Sequence, residues 1–232
     1  MPIKSFLNQR GTNVSRSGLG KNGKTFESDY WTEIYGSGLD VDGSYNAKQH
    51  ATYLHSLLAL MEIPIYKIAD FGFGKGILLK EFVRTFAPVK VYAVDASKDA
   101  YLELLKKDWV KKSDKFQVYH SSLEDFSLAK LEREPVELGI CNSVLQYLPD
   151  SVLPQVIERL AKYCNYLYFT VPTKADYDLM RKEMNFSDPY AFERSQKKYR
   201  KLLSRDFEIV SYNLLQSKWL GEKGFREEFF RV

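Results

Sequence analysis

The sequence predicts an α/β protein: a doubly wound, seven-stranded, mostly parallel sheet with one antiparallel edge strand. Three observations predict it. Short apolar runs alternate five times with amphipathic segments between about residues 47 and 205. A glycine-rich turn, "DFGFGKG" (70–76), joins the first apolar run to a helical pattern. Two further strand-like segments, "FEIVSYNLL" (207–215) and "REEFFRV" (226–232), follow one another without a helix between them. Alternation of this kind builds parallel sheets, and a strand without a crossover helix has to run antiparallel.

Residues 1 to about 28 are polar, rich in Gly and Ser and aperiodic, and read as an arm. Residues 29–46, "DYWTEIYGSGLDVDGSYN", mix aromatics with turn formers and read as an ordered loop or short helix. Tyr30, Trp31, Tyr35 and Tyr45 in it are expected to act as a lid or as a staple for the arm. Asp40-Val41-Asp42-Gly43 lacks the ligand series of a calcium loop and reads as a turn. Ala51, Leu54, Leu57, Leu58 and Met61 recur at helical spacing, so 47–61 is an amphipathic helix, followed by Pro64. "YKIADF" (66–71) is the first strand, "ILLKEFVRTF" (77–86) a helix closed by Pro88, and "KVYAVDA" (90–96) the second strand. Ser97 caps a helix running through Leu102, Leu105 and Trp109. "KFQVYH" and "VELGICNS" are the third and fourth strands. Leu153, Val156, Ile157, Leu160 and Ala161 form a helical stripe, with Ser151 as its cap because this puts Pro154 in the first turn. "NYLYFTV" is the fifth strand, and 174–205 is polar, charged and helical.

The 232 residues are 44% hydrophobic and carry a net charge of +4, which suits one domain and falls short of a dedicated nucleic-acid binder. The lysine pairs 106–107 and 111–112 and the run Lys197-Lys198-Tyr199-Arg200-Lys201 read as solvated helix faces. Sixteen Tyr and fifteen Phe fill either a core or an aromatic-lined pocket. Cys141 and Cys164 lie in apolar strands without metal-ligand spacing, so no metal site is expected and the thiols are expected free, in a reducing compartment. No apolar leader or membrane-length run is visible, and the expectation is a soluble cytoplasmic protein with no membrane partner.

The glycines carry the functional argument. Gly72, Gly74 and Gly76 stand between a strand and a helix, where the chain turns sharply and a ligand can approach the backbone. The following helix offers unpaired N–H groups. The dinucleotide fingerprint fails, because the third glycine would fall at Ile77 or Leu79, and "GKGI" lacks the P-loop ending. Asp95 ends the second strand nineteen residues after Gly76, where an acid accepts ribose hydroxyls. A glycine floor with a ribose acid and no pyrophosphate fingerprint points to a nucleoside lacking a diphosphate.

Taken together, "IADFGFGKG", "VYAVDAS", "YHSSLEDF", "CNSVLQYLPD", "YLYFTVP" and "YRKLLSRDFEIVSY" resemble the motifs of the class I S-adenosylmethionine-dependent methyltransferases over roughly residues 47–232. The resemblance implies the Rossmann-like methyltransferase fold, with S-adenosyl-L-methionine as cofactor. It implies that Gly72, Phe73, Gly74 and Gly76 pass under the methionine portion and that Asp70 steadies the loop or approaches the amino group. It places Asp95 on the ribose, Ala96 and Ser97 beside the adenine, and Leu123 and Glu124 around it. Asn142, Ser143 and Val144 would face the sulfonium. One departure stands out: Ser122 occupies the position where many members carry an adenine-binding aspartate, so that contact passes to Glu124 or a backbone carbonyl.

The expected organisation is an arm and aromatic lid segment (1–46) ahead of the cofactor-binding domain (47–232), with 174–205 as a helical insertion near the substrate pocket. The fourth strand ends in Cys-Asn-Ser-Val rather than the Asn/Asp-Pro-Pro-aromatic pattern that goes with methylation of planar amino groups, which favours a small-molecule acceptor. His50 is the expected general base, with Tyr35 or Tyr45 behind it; His55 and His120 read as structural. An RNA or protein methyltransferase docking on the basic helices, and a non-catalytic cofactor binder, are the competing readings.

Overall fold

The structure, a computed structural model, describes residues 18–35, 46–131 and 134–219. Seven strands, β1 (Lys67–Phe71), β2 (Lys90–Asp95), β3 (Phe116–His120), β4 (Val136–Asn142), β5 (Cys164–Thr170), β6 (Phe207–Ser211) and β7 (Leu214–Ser217), form one sheet in the order β3-β2-β1-β4-β5-β7-β6. β1 to β5 pair in parallel, and β7 runs antiparallel between β5 and β6 at that edge of the sheet. The order reverses between β1 and β4, so the crevice at their carboxyl ends is the place for a ligand.

The helices are α1 (Ser28–Tyr35), α2 (Ala47–Leu60), α3 (Ile77–Phe86), α4 (Lys98–Lys106), α5 (Asp108–Lys111), α6 (Leu153–Tyr163), α7 (Lys174–Met184) and α8 (Gln196–Leu203). Alternation along the strands sorts the core into two faces. Ala69, Phe71, Tyr92, Val94, Cys141, Leu167 and Phe169 pack with the α6 stripe and with Tyr199 and Leu203 of α8. On the other face Ile68, Leu138, Ile140 and Tyr168 meet α2 and Phe82 of α3, while Val91 and Ala93 meet α3, α4 and α5. The predicted α6 stripe, Leu153, Val156, Ile157, Leu160 and Ala161, is fully buried.

Several local readings are corrected. "FEIVSYNLL" is two strands, β6 and β7, because Asn213 takes a left-handed φ of 55°, which asparagine tolerates, and turns the chain back. "REEFFRV" lies outside the described residues. The helix after Ser97 breaks at Lys107, which is extended; it buries Ala100 and Leu104 and leaves Leu102 and Leu105 facing out. Helix α6 starts at Leu153 with Val152 in the cap position, so Ser151 does not cap it, although Pro154 still falls in the first turn. The neighbouring Asp150 instead pairs with Arg194 and Lys198.

Residues 18–27, expected within a loose arm, form a strap packed on the domain. A Cβ at Gly20 would lie 2.7 Å from the Tyr190 ring, and the Lys21 N–H donates to the Tyr190 carbonyl at 2.8 Å. Phe26 and Tyr30 join Tyr177, Phe186 and Tyr190 in a separate aromatic cluster that ties the strap and α1 to α7 and the segment after it. Among the described residues no helix is long and apolar enough to cross a membrane, and no group of three or more His, Cys, Asp or Glu is placed to hold a metal ion.

Candidate active site

The crevice at the carboxyl ends of β1, β2 and β4 is floored by the glycine turn. Gly72 has φ +103° and its N–H donates to the Val94 carbonyl at 2.7 Å, fastening the turn to β2. A Cβ at Gly72 would stand 2.3 Å from Val144 Cγ2, so only glycine fits between the ends of β1 and β4. Gly76, also left-handed, sits just before α3 with Leu104 at 3.0 Å from a notional Cβ, and does not line the crevice.

The carboxylates of Asp70 and Asp95 both face this space. Asp95 is 9% exposed; its Oδ2 accepts the Gly74 N–H and its Oδ1 the Ser97 N–H, both at 2.8 Å. Burial raises its pKa to about 6, against the lowering effect of those two hydrogen bonds. Asp70 is 2% exposed, and among the described residues nothing donates a hydrogen bond to its carboxylate. Burial first, and the Asp95 charge second, push its pKa well above the ordinary carboxylate range. An unpartnered buried anion on a cavity wall is costly unless a cation or donor meets it there.

The rim completes the site. Ser143, directly after β4, holds a left-handed φ of 54°, braced by its N–H to the Thr170 carbonyl and by Gln146 Nε2 donating to its own carbonyl. Strain of this kind in a non-glycine residue is sustained where its surroundings over-determine it. Glu124 Oε2 is buried on the crevice wall with no hydrogen-bond partner among the described residues. The Ser122 hydroxyl donates to Asp125 Oδ2 at 3.0 Å and is committed to its own turn, which leaves Glu124 as the side-chain acceptor there.

Of the fourteen residues expected around a cofactor, Asp70, Gly72, Phe73, Gly74, Asp95, Ala96, Ser122, Leu123, Glu124, Asn142, Ser143 and Val144 line one crevice. Gly76 and Ser97 stand behind it: Ser97 is fully buried as the cap of α4, accepting the Ala100 N–H and the Trp31 indole N–H. The sequence reading singled out Tyr30 and Trp31 but did not foresee the strap residues before them. Gly18, Leu19, Phe26, Tyr30 and Trp31 line the crevice from the strap side, and Glu27 accepts the N–H groups of Lys98 and Asp99 at the start of α4. The Tyr30 and Tyr147 hydroxyls meet at 2.8 Å, and Tyr147 donates to Asp188 Oδ2. With these rings in place the crevice encloses about 100 Å³, below the roughly 300 Å³ at which ligand pockets begin.

The expected bases fall elsewhere. His50 does not line the crevice but a second, open cleft of about 790 Å³, which meets the first at Asn142 and Ser143. Its Nδ1 lies 2.8 Å from the Tyr168 hydroxyl, and burial lowers its pKa. The Tyr35 side chain and all of Tyr45 lie outside the described residues.

The sequence profile of the methyltransferase domain matches residues 68–165, the span from β1 through the start of β5. That span carries the methyltransferase domain. Among solved structures the fold is similar to that of magnesium protoporphyrin IX methyltransferase (ChlM) from Synechocystis PCC 6803 with bound SAH, at 20% identity and a TM-score of 0.56 over 83% of this chain and 94% of that one. It is similar to the N-methyltransferase NodS from Bradyrhizobium japonicum WM9 in complex with S-adenosyl-L-homocysteine, at 14% identity and a TM-score of 0.55 over 78% and 91% of the two chains. It also matches the small RNA methyltransferase HEN1, at 16% identity and a TM-score of 0.58 over 78% of this chain, which spans only 26% of the HEN1 chain. Comparison by sequence with curated proteins gives no match.

The residues of this methyltransferase suit its cofactor chemically. The unpartnered Asp70 matches a cationic amino-acid end, Asp95 matches ribose hydroxyls, and the bare Glu124 Oε2 matches an adenine amino donor.

Proposed function

We propose that the methyltransferase acts on a small-molecule acceptor seated in the second cleft. The observation that carries this reading is a cleft of ligand size opening onto the strained end of β4, where Asn142 and Ser143 belong to both spaces. Bound S-adenosylmethionine supplies a methyl on a sulfonium, open to in-line displacement. Asp70, Gly72, Phe73 and Gly74 hold its amino-acid end, Asp95 its ribose, and Ala96, Leu123 and Glu124 its adenine. Asn142, Ser143 and Val144 form the passage between the two spaces. Alignment of the reactants across that passage and exclusion of water are the protein's main contributions, worth up to roughly 7–11 kcal/mol when orientation is good. The two buried free thiols support a reducing, cytoplasmic setting.

His50 is the general base in this reading. In the tautomer whose Nδ1–H donates to Tyr168, Nε2 is bare and would take the proton that the acceptor loses on methylation. Its depressed pKa keeps the imidazole neutral at physiological pH. His50→Gln should lower kcat by about 10²–10⁴-fold. In the wild type kcat should fall on the acid side, below the ordinary imidazole value, and that limb should vanish in the variant. A variant with an unchanged pH–rate profile removes His50 from the chemistry.

The strap and α1 act as a lid, as proposed for the 1–46 segment. Trp31, whose ring a Cβ at Gly74 would approach to 3.3 Å, closes over the cofactor's position and has to move for exchange. Trp31→Ala should speed release of S-adenosylhomocysteine by about tenfold, the equivalent of one ~1.4 kcal/mol contact. Stopped-flow release at the wild-type rate would leave the strap as a structural staple only.

The acceptor class is tested by incubating the enzyme with methyl-labelled S-adenosylmethionine and separate metabolite, RNA and protein fractions of a cell extract. Label in the metabolite fraction supports the proposal; label in RNA or protein alone overturns it. Exposed Lys197, Arg200 and Lys201 on α8 favour RNA as the second reading, and RNA binding would then weaken steeply with salt.

A further inference from the structure

The second cleft has a charge pattern that bears on what it accepts. Among the described residues its lining contains no aspartate or glutamate, while Arg200 of α8 and His50 of α2 both line it. Arg200 makes no ion pair with any described residue, whereas its neighbour Lys198 is tied to Asp150, and Arg181 on α7 is held by Asp178 and Glu193. A guanidinium with no protein anion, on the wall of a ligand-sized cleft, is a ready partner for a carboxylate, which it grips through two parallel N–H donors. The rest of the lining mixes aromatic rings, Tyr168, Phe169, Tyr199 and Tyr212, with neutral polar and aliphatic side chains. Aromatic rings beside one cation suit a planar organic acid. An amine acceptor would meet a like charge with no carboxylate to balance it.

We infer that the acceptor is a small, planar organic acid whose carboxylate is held by Arg200, with its reacting group toward Asn142 and His50. This rests on the methyltransferase reading and names the substrate class for the same site. The carboxylate anchor and the base lie on different walls of the cleft, α8 and α2, so the acid would be held at one end and deprotonated at the other. The nucleophile is then a second group on the ring, such as a hydroxyl, rather than the anchored carboxylate.

The test uses the full chain saturated with S-adenosylhomocysteine. Ligand-observed NMR titrations measure benzoate, 4-hydroxybenzoate and indole-3-acetate, each beside its primary amide and the amine of matching skeleton. The acids should bind at least about tenfold tighter than the amides, and the amines should not bind. Arg200→Met should erase the acid preference, Arg200→Lys should retain part of it, and both should keep wild-type affinity for S-adenosylhomocysteine by calorimetry. Equal binding of acids and amides, binding of amines, absence of acid binding, or an acid preference that survives Arg200→Met overturns the inference while leaving methyl transfer intact. An RNA oligonucleotide that binds through Arg200 where the acids do not would assign the cation to a macromolecule and overturn it as well. Failure of the wild type to bind S-adenosylhomocysteine is a separate result and removes the methyltransferase reading itself.

Discussion

Gly72→Ala should cost the methyltransferase at least about 100-fold in affinity for S-adenosylhomocysteine and about 1–3 kcal/mol in stability, the range for a strained backbone or an overpacked contact. The residue holds φ +103°, where side chains are strained whatever the space around them, and the added methyl would stand 2.3 Å from Val144 Cγ2. Neither neighbour can yield cheaply. Val144 follows the left-handed Ser143, whose backbone is fixed by Thr170 and Gln146, and the Gly72 N–H is fastened to Val94. Relief requires the ends of β1 and β4 to part, which widens the floor on which the cofactor's amino-acid end would lie. Calorimetry measures the affinity and urea denaturation the stability. Tight binding by the alanine variant would mean that the glycine serves packing alone. Gly74→Ala makes a graded comparison, because its φ is +52° and its nearest obstacle is the movable Trp31 ring at 3.3 Å; its effect should be smaller.

Asp95→Asn should weaken cofactor binding by about 1.5–3 kcal/mol, the usual worth of hydrogen bonds to a charged group, or roughly 10–150-fold. The carboxylate already orients the Gly74 and Ser97 N–H groups, so one substitution loosens both the glycine turn and the start of α4. The pH dependence carries a sign of its own. The folded pKa is raised to about 6 by burial, above the roughly 3.9 of an unfolded aspartate. Between those values the native state binds more protons than the unfolded state, so the stability of the cofactor-free protein falls as pH rises from about 4 to about 6. Cofactor affinity should run the other way, since in the proposed ribose role it is the ionised form that accepts the hydroxyls, and it should decline below about pH 6. The Asn variant should flatten the Asp95 contribution to both slopes, leaving that of Asp70, whose pKa is raised in the same direction. A wild-type affinity that stays constant from pH 5 to 8, or a variant that binds normally, would take the ribose role from Asp95.

The legible part of the site is the part built from contiguous chain. The turn 70–76 and the strand end at 95 are short segments in which spacing alone puts functional groups at the mouth of adjacent parallel strands, and twelve of the fourteen expected cofactor residues face one crevice. Gly76 and Ser97 belong to the same motifs but serve the helices behind it, because a helix start needs its own turn and cap. His50 was legible as a histidine near the rim. Its pairing with Tyr168, 118 residues away, and its place in the neighbouring cleft depend on how α2 packs across β5.

Periodicity and turn chemistry by themselves determined the alternation of five parallel strands with helices, the two-faced burial of the parallel sheet and the glycine turn at the mouth of its first strand, since each depends on residues a few positions apart. Only the tertiary structure decided that residues 18–31 lie back over the crevice, that Ser122 is spent on Asp125 while Glu124 Oε2 meets no donor among the described residues, and that Arg200 opens onto a cleft whose described lining holds no carboxylate. The physical reason is that closure and charge balance are sums over distant segments: a strap's aromatic rings find their partners, and a cation lacks its own, only once the sheet has brought the elements together.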